Sequence, residues 1–355
     1  MSTPKFAHAS ASVHAELKKR VNEYFHNREI MPTGSSKLYL KAVILVSCQI
    51  AIYTHLVFFT PVAWIAILEC VLLGLATSGI GFNVMHDGAH GSFSKHKGVN
   101  RLAALTLDML GASSVMWSNK HNIIHHTYTN IDGIDDDIEA KPFLRLAPTQ
   151  KHYKLHKYQH IYFWALYGLL YLFWVFFTDY KKYFSGMVGS VALKKLKTTD
   201  HLVFWGFKAL HVATYVVLPI YMCNFLPWLV GFLVYTFTSG VVLSIVFQLA
   251  HTVEETSFPE ALQPVNKMED EWAVHQLRTT ANFATGNKII TWFVGGLNFQ
   301  VEHHLFPKIS HAHYPQISKI IKNTCMEMGV PYIEHRKMST AIVSHIHHLK
   351  KMGQR

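Results

Sequence analysis

The chain has 355 residues, 50% of them hydrophobic and only 15% charged, where a soluble globular protein carries nearer a quarter charged residues. That balance excludes an ordinary soluble domain and points to an all-α, polytopic membrane protein. The 33 Lys and Arg against 22 Asp and Glu give a formal net charge of +11, the excess that cytoplasmic membrane loops carry. The same basic face suits docking of an acidic electron carrier or a phosphate-bearing substrate. No recognition motif accompanies it, which excludes nucleic acid as a partner.

Residues 1–36 are polar and mixed, with Lys18, Lys19 and Arg20 and no apolar run of the signal-peptide kind. They are expected as a cytosolic segment, partly helical around residues 11–27. A first span is expected from about Ala42 to Thr60, a sharp turn at Pro61, and a second span from Val62 toward His90. The turn holds no Lys or Arg, which suits the outer side. His55 and Glu69 lie on either side of it and are expected to pair structurally, outside any active site. From Val62 to His86 is 24 positions, or ~36 Å of helix, so His86 emerges just beyond the hydrocarbon core.

Three further apolar segments follow, 161–178, 205–222 and 227–250. If all histidine clusters meet in one place, an even number of crossings separates residues 121–126 from His251. Segment 161–178 is short and flanked by Lys151, Lys154, Lys157, Lys181 and Lys182, so it is expected at the interface. That leaves about four transmembrane helices, with interfacial helices, a cytosolic cap and both termini inside. From Pro227 to His251 is again 24 positions, which brings His251 to the depth of His86. The organisation expected is a cytosolic segment 1–36, a membrane domain 37–335 and a basic cytosolic tail 336–355. The acidic stretch 131–139 lacks the spacing of a calcium loop and suits a supporting or surface role. Cys48, Cys70, Cys223 and Cys325 form no CxxC pair and give no disulfide framework, zinc finger or iron–sulfur site.

Eight histidines carry the chemistry. They fall in four clusters: His86-Asp-Gly-Ala-His90, His121-Asn-Ile-Ile-His125-His126, a lone His251, and Gln300-Val-Glu-His303-His304. Neutral imidazole is a strong ligand for iron, zinc and copper, and eight exceed the roughly six positions of one octahedral ion. The pattern therefore reads as a two-metal centre. Residues four apart share a helix face, so His86 points with His90 and His121 with His125. His126 turns about 100° further and can reach across two ions. Neither the HExxH of zinc proteases nor the Glu-rich motifs of soluble di-iron bundles is present. Oxygen activation by iron fits best, and zinc and copper stay open. His275 is not at a box position and is left out of the site. His152, His156, His160, His311, His313, His345, His347 and His348 stand in basic or terminal segments and are expected at the surface.

His86–His90, His121–His126 and Gln300–His304 resemble the three histidine boxes of the membrane fatty acid desaturases. The stretch Gly-Leu-Asn-Phe-Gln300-Val-Glu-His-His-Leu-Phe-Pro, with Gln where many members have His, is similar to the front-end acyl desaturases. The run from Glu271 through Tyr314-Pro315 is similar to the delta-6-type acyl-lipid enzymes among them. The resemblance covers roughly residues 35–335 and implies two iron ions bound by His86, His90, His121, His125, His126, His251, His303 and His304, with O2 as co-substrate. Gln300 takes the position of a further ligand. Asn282 and Asp87 are candidates for the hydrogen-bond acceptors that metal-bound histidines need on their other nitrogen.

The activity implied is removal of hydrogen from two adjacent methylenes of an acyl-lipid or acyl-CoA, giving a cis alkene and water. The aromatic and small residues of the second and fourth spans are the expected wall of a narrow acyl tunnel. Many front-end desaturases carry a fused cytochrome b5 domain with an HPGG motif, which this chain lacks. A separate donor such as ferredoxin or cytochrome b5 is therefore expected. Two rivals remain at this level: a hydroxylase or ketolase of the same superfamily, and, from another class, a membrane metal transporter or sensor, which would place its ligands near mid-membrane.

Overall fold

The computed structural model describes residues 3–8 and 12–354. Helix α1 (Val13–Asn27) is capped by Ser12, whose hydroxyl accepts the N–H of Ala15. Helices α2 (Ser36–Phe59) and α3 (Ala63–His90) form an apolar hairpin. The turn is made by Thr60, at φ 43°, and Pro61. The expected His55–Glu69 pair is present, with Nδ1 and Oε1 2.8 Å apart.

Amphipathic α4 (Lys97–Met109) and α5 (114–128) follow, the latter containing a π-helical turn at Asn119–His125. Three more apolar helices come next: α6 (Lys154–Ser185), α7 (Thr198–Cys223) and α8 (Phe225–His251). Between α6 and α7 lies a two-stranded antiparallel hairpin, β1 (Met187–Val188) and β2 (Val191–Ala192). Five helices among the described residues are therefore long and apolar enough to cross a membrane, one more than the sequence expectation.

The extra one is α6, and its contacts are unusual for a crossing helix. At its start His156 donates from Nε2 to the carbonyl of Pro142 at 2.8 Å, and Gln159 donates to that of Arg145 at 2.9 Å. Near its end Lys182 pairs with Asp136 at 2.7 Å, and just beyond it Ser190 bonds the carbonyl of Gly133. Both ends thus rest on one irregular polar segment, 132–150, which itself carries Asp132, Asp135, Asp136, Asp137 and Glu139. Irregular charged backbone does not run through hydrocarbon exposed to lipid. The middle of α6 packs closely on α8: a Cβ on Gly240 would lie 2.4 Å from the carbonyl oxygen of Gly168, so only glycine permits the approach.

The remaining chain builds the cap. Helix α9 (Trp272–Thr279), strand β3 (Ala281–Phe283), α10 (Lys288–Phe293), α11 (Gln300–Leu305) and α12 (Tyr314–Glu327) precede strand β4 (Ile333–His335), which pairs in parallel with β3. Leu17 and Val21 of α1 bury against Leu277, Val301, Ile317 and Ile321, so residues of the 1–36 segment share a core with the third histidine box. Residues 338–354, within the segment expected as a basic tail, form α13 (Met338–Gln354). It buries Ala341, His345, His348 and Leu349.

Burial of His156, His311, His345 and His348 corrects the expectation that they lie at the surface. Flanking lysines suggested exposure, but each ring has found an acceptor inside. His348, for example, donates to the carbonyl of Leu146 at 2.8 Å.

Candidate metal centre

Four pieces of chain converge: the end of α3, the π turn of α5, the end of α8 and the start of α11. Ring nitrogens of His86, His90, His121 and His303 lie within 4.8 Å of one another, and so do those of His125, His251 and His304. The ring of His126 stands between the two groups, 4.8 Å from His90, 4.5 Å from His303 and 4.4 Å from His304, centre to centre. All eight histidines of the four clusters are therefore brought together. The π turn adds something that ordinary helix geometry does not show. It widens the repeat toward five residues, so His121 and His126 face each other with their Nε2 atoms 3.2 Å apart.

The donor set fits metal. One ring nitrogen of each of the eight is buried and has no hydrogen-bond partner: Nε2 of His86, His90, His125, His251, His303 and His304, and Nδ1 of His121 and His126. Buried polar atoms are otherwise nearly always satisfied, so eight histidines that each leave one such atom without a partner are suited to holding cations. Burial first, then the neighbouring histidines, holds His121, His126, His303 and His304 well below the usual imidazole range. They are therefore neutral and ready to coordinate.

The opposite nitrogens show how the rings are oriented. His251 donates from Nδ1 to the carbonyl of Thr279 at 3.1 Å, and His304 from Nδ1 to Oε1 of Gln276 at 2.8 Å. His125 donates from Nδ1 to the buried carboxylate of Asp135 at 3.0 Å, and Nδ1 of His303 lies 3.2 Å from the Tyr314 hydroxyl. The carbonyl, amide oxygen and carboxylate fix the tautomer that leaves Nε2 free on His251, His304 and His125, while the Tyr314 hydroxyl can donate or accept. Asp137 brings a carboxylate within reach of His121 and His125. Burial would push that carboxyl up, but Lys120, 2.5 Å away, and His125 hold it far below the usual range.

Asp135, Gln276, Thr279 and Tyr314 were not singled out by sequence. Asp135 lies in the acidic stretch read as supporting or surface, and Tyr314 in the run that carries the resemblance. Gln276 and the Thr279 carbonyl gave no signal of their own.

Two expected acceptors are placed differently. Asn282 accepts no histidine proton. Its oxygen takes the N–H of Val301 at 2.9 Å, and its amide donates to Glu302 and to the Tyr332 hydroxyl, both at 2.8 Å. It locks the first turn of α11 onto β3, where backbone donors have no helical partner. Glu302, buried in that lock, is pushed up to about 7 by its burial. Asp87 lies 4.0 Å from Nδ1 of His86, too far for a hydrogen bond. Its partners are His311 Nδ1 at 2.9 Å and Ser310 Oγ at 3.1 Å, which tie the first box to the loop after the third. Gln300 is buried at the start of α11.

A small apolar cavity is lined by His86 and Trp117 and by Gly81, Met85, Leu243 and Phe247 of α3 and α8. The second and fourth spans line it as expected. Helix α6 adds Tyr171 and Trp174, a contribution the sequence did not suggest.

A membrane-helical scaffold that gathers eight histidines, each with one buried, unpartnered ring nitrogen, beside an apolar cavity defines a metal-dependent membrane enzyme acting on an apolar substrate. The chain belongs to the fatty acid desaturase family, whose profile matches residues 62–336. It is 38% identical over 340 residues to the sn-1 linoleoyl-lipid 6-desaturase of Arthrospira platensis, covering 95% of this chain and 92% of that one. The enzyme of the same name from Synechocystis is 35% identical, covering 95% and 94%. The acyl-lipid (8-3)-desaturase of Physcomitrium patens is also 35% identical, covering 95% of this chain and 71% of its own.

Proposed function

We propose that this desaturase is an oxygen-dependent, front-end acyl-lipid enzyme, inserting a cis double bond between an existing one and the carboxyl end with 6-type regioselectivity. The observation that carries it is the apolar cavity lined in part by His86, one of eight histidines that each leave a ring nitrogen unpartnered. The substrate class follows the names of the relatives, which act on acyl lipids. Two iron ions are the metals we assign: His86, His90, His121 and His303 would hold one and His125, His251 and His304 the other, with His126 available beside both groups and O2 as co-substrate. When bound, the pair supplies the oxidising power that removes two hydrogens from the chain.

The protein's own part is positioning. Gly81, Met85, Leu243 and Phe247 would confine a methylene chain and keep water away. The reacting carbon is then chosen by depth along the cavity, not by an acid–base group. Tautomers fixed by Asp135, Thr279 and Gln276, and the ring contact of Tyr314 with His303, keep the ligating nitrogens aimed inward. The contacts of α6 with segment 132–150 support an interfacial placement for that helix. Four crossings then remain, with the termini and the metal site on the cytosolic side. Electrons come from a separate carrier, ferredoxin or cytochrome b5, docking on the basic face.

Expression in a host supplied with linoleate, with total acyl methyl esters compared against a His303→Ala control, tests this. A product lighter by two hydrogens that vanishes in the control supports it, and its double-bond position reads the regiochemistry. A product heavier by one oxygen would instead make the enzyme a hydroxylase.

A further inference from the structure

The end of α8 is buried, and side chains from distant parts of the chain hold its carbonyls. Ala250, His251, Thr252 and Val253 are all buried, and a helical bond still runs from the Thr252 N–H to the Gln248 carbonyl at 2.9 Å. The carbonyls that follow have no helical partner, and leaving one buried and unpaired is costly. That of His251 accepts from Asn130 Nδ2 and from Thr256 Oγ1, both at 2.8 Å. That of Thr252 accepts from Nδ1 of His345, 93 positions further on, at 2.7 Å. Nε2 of the same buried ring lies 2.8 Å from the Tyr167 hydroxyl. A neutral imidazole has one N–H, so Nδ1 donates to Thr252 and Nε2 accepts from Tyr167 of α6. The residue before His345 grips the same turn: Ser344 Oγ accepts the N–H of Glu254 at 3.0 Å and donates to Glu255 Oε2 at 2.7 Å.

We propose that His345 is a positioning residue for the ligand His251, setting through the Thr252 carbonyl how the end of α8 presents that ring to His125 and His304. The proposal rests on the reading that these three histidines hold a metal. Helix α13, which carries His345, lies beyond the residues 62–336 that the family profile matches. It is itself fixed: its Leu349 carbonyl accepts from Gln159 at 2.8 Å and its Met352 carbonyl from Arg145 Nη1 at 2.7 Å. The Thr279 carbonyl orients the His251 ring, but the place of its backbone depends on where the helix end sits. Without the His345 donor the buried Thr252 carbonyl must shift to find another partner, and His251 moves with it. Metal–ligand distances hold within about 0.2 Å, so a small shift is felt in coordination.

The test uses the full chain, purified with its metal, and follows metal release by elemental analysis at rising chelator concentration. His345→Ala is expected to lose one of two metals at roughly tenfold lower chelator, the low end of what a residue supporting a ligand contributes. The other metal is expected to leave as in the unaltered protein, and the shifted step is the one that His251→Ala lacks. His345→Asn places an amide N–H where Nδ1 stood, so it is expected to restore that step. His348→Ala is the control for stability alone, since it unpairs the Leu146 carbonyl on the same helix. It is expected to lower the melting temperature and move neither step. Where His345→Ala does not accumulate, Tyr167→Phe takes its place: losing the hydroxyl frees the His345 tautomer, and a smaller shift of the same step is expected. Unchanged release in His345→Ala, or in Tyr167→Phe standing in for it, overturns the proposal. So does an equal shift in His348→Ala or His345→Asn. If the unaltered protein holds no metal, the metal reading falls first and this one with it.

Discussion

In the group of His125, His251 and His304 every ring has an acceptor on Nδ1: a carboxylate, a backbone carbonyl and an amide oxygen. In the group of His86, His90, His121 and His303 the support is sparser. His303 has the Tyr314 hydroxyl at 3.2 Å, while His86 has Asp87 only at 4.0 Å. His121 faces His126 instead of an acceptor. Acceptors on the distal nitrogen raise a ligand's basicity and hold its angle. Three well-supported rings thus stand against four in which number replaces support. The comparison teaches that the two histidine groups differ in stiffness: every ring of one is held by an acceptor, and the less supported group is the one whose His86 lines the apolar cavity.

The largest effect that sharpens this contrast is loss of a ligand from the smaller group. His251→Ala leaves two histidines there. Elemental analysis of the purified enzyme is expected to show roughly half the metal, with desaturation lost. Full metal content with full activity would remove His251 from the centre.

Asp135→Asn comes next. It keeps the shape of the contact and removes the charge, and a supporting partner of this kind is worth roughly 10- to 100-fold in metal affinity. The same variant has a pH signature in metal-stripped protein. Burial lowers His121, His126, His303 and His304 below their ordinary value. The unfolded chain therefore takes up protons that the folded chain refuses, and stability falls as pH drops below about 6.5. His125 runs the other way: burial lowers it, but Asp135 and Asp137 outweigh burial and raise it. Its stabilising share is full below the unfolded value and fades as pH rises through the folded one. Asp135→Asn weakens that share, so thermal melts between pH 5 and 8 are expected to show a steeper acid loss in the variant. Parallel curves would mean that Asp135 only fills space.

The contrast between the groups was only half legible in the sequence. The convergence of the histidines was legible because coordination demands a residue type at a helical spacing, and because His86 and His251 stand equally far along their spans. Support was not. Thr279 acts through its carbonyl, which any residue supplies, and Gln276 reaches His304 from a helix 28 positions away. Asn282 has the right chemistry for an acceptor, but the unfilled N–H of Val301 claims it first. His311 looked like a surface residue until the fold brought it to Asp87. Helix α6 was read by hydropathy and flanking lysines alone, which describe its surroundings but not the tyrosine it sends to the cavity.

The smallest expected effect lies in the sparser group. Tyr314→Phe keeps the ring beside His303 and deletes one neutral hydroxyl. A net hydrogen bond of this kind contributes about 0.5–1.5 kcal/mol, so metal affinity should fall by less than roughly tenfold. Asp135 differs in kind, because its bond to His125 is charge-assisted and buried, and such bonds are about twice as strong. Equilibrium competition with a chelator measures both variants on one scale. A loss in Tyr314→Phe equal to that in Asp135→Asn would show the two groups to be equally supported, and the difference in stiffness drawn from them would fail.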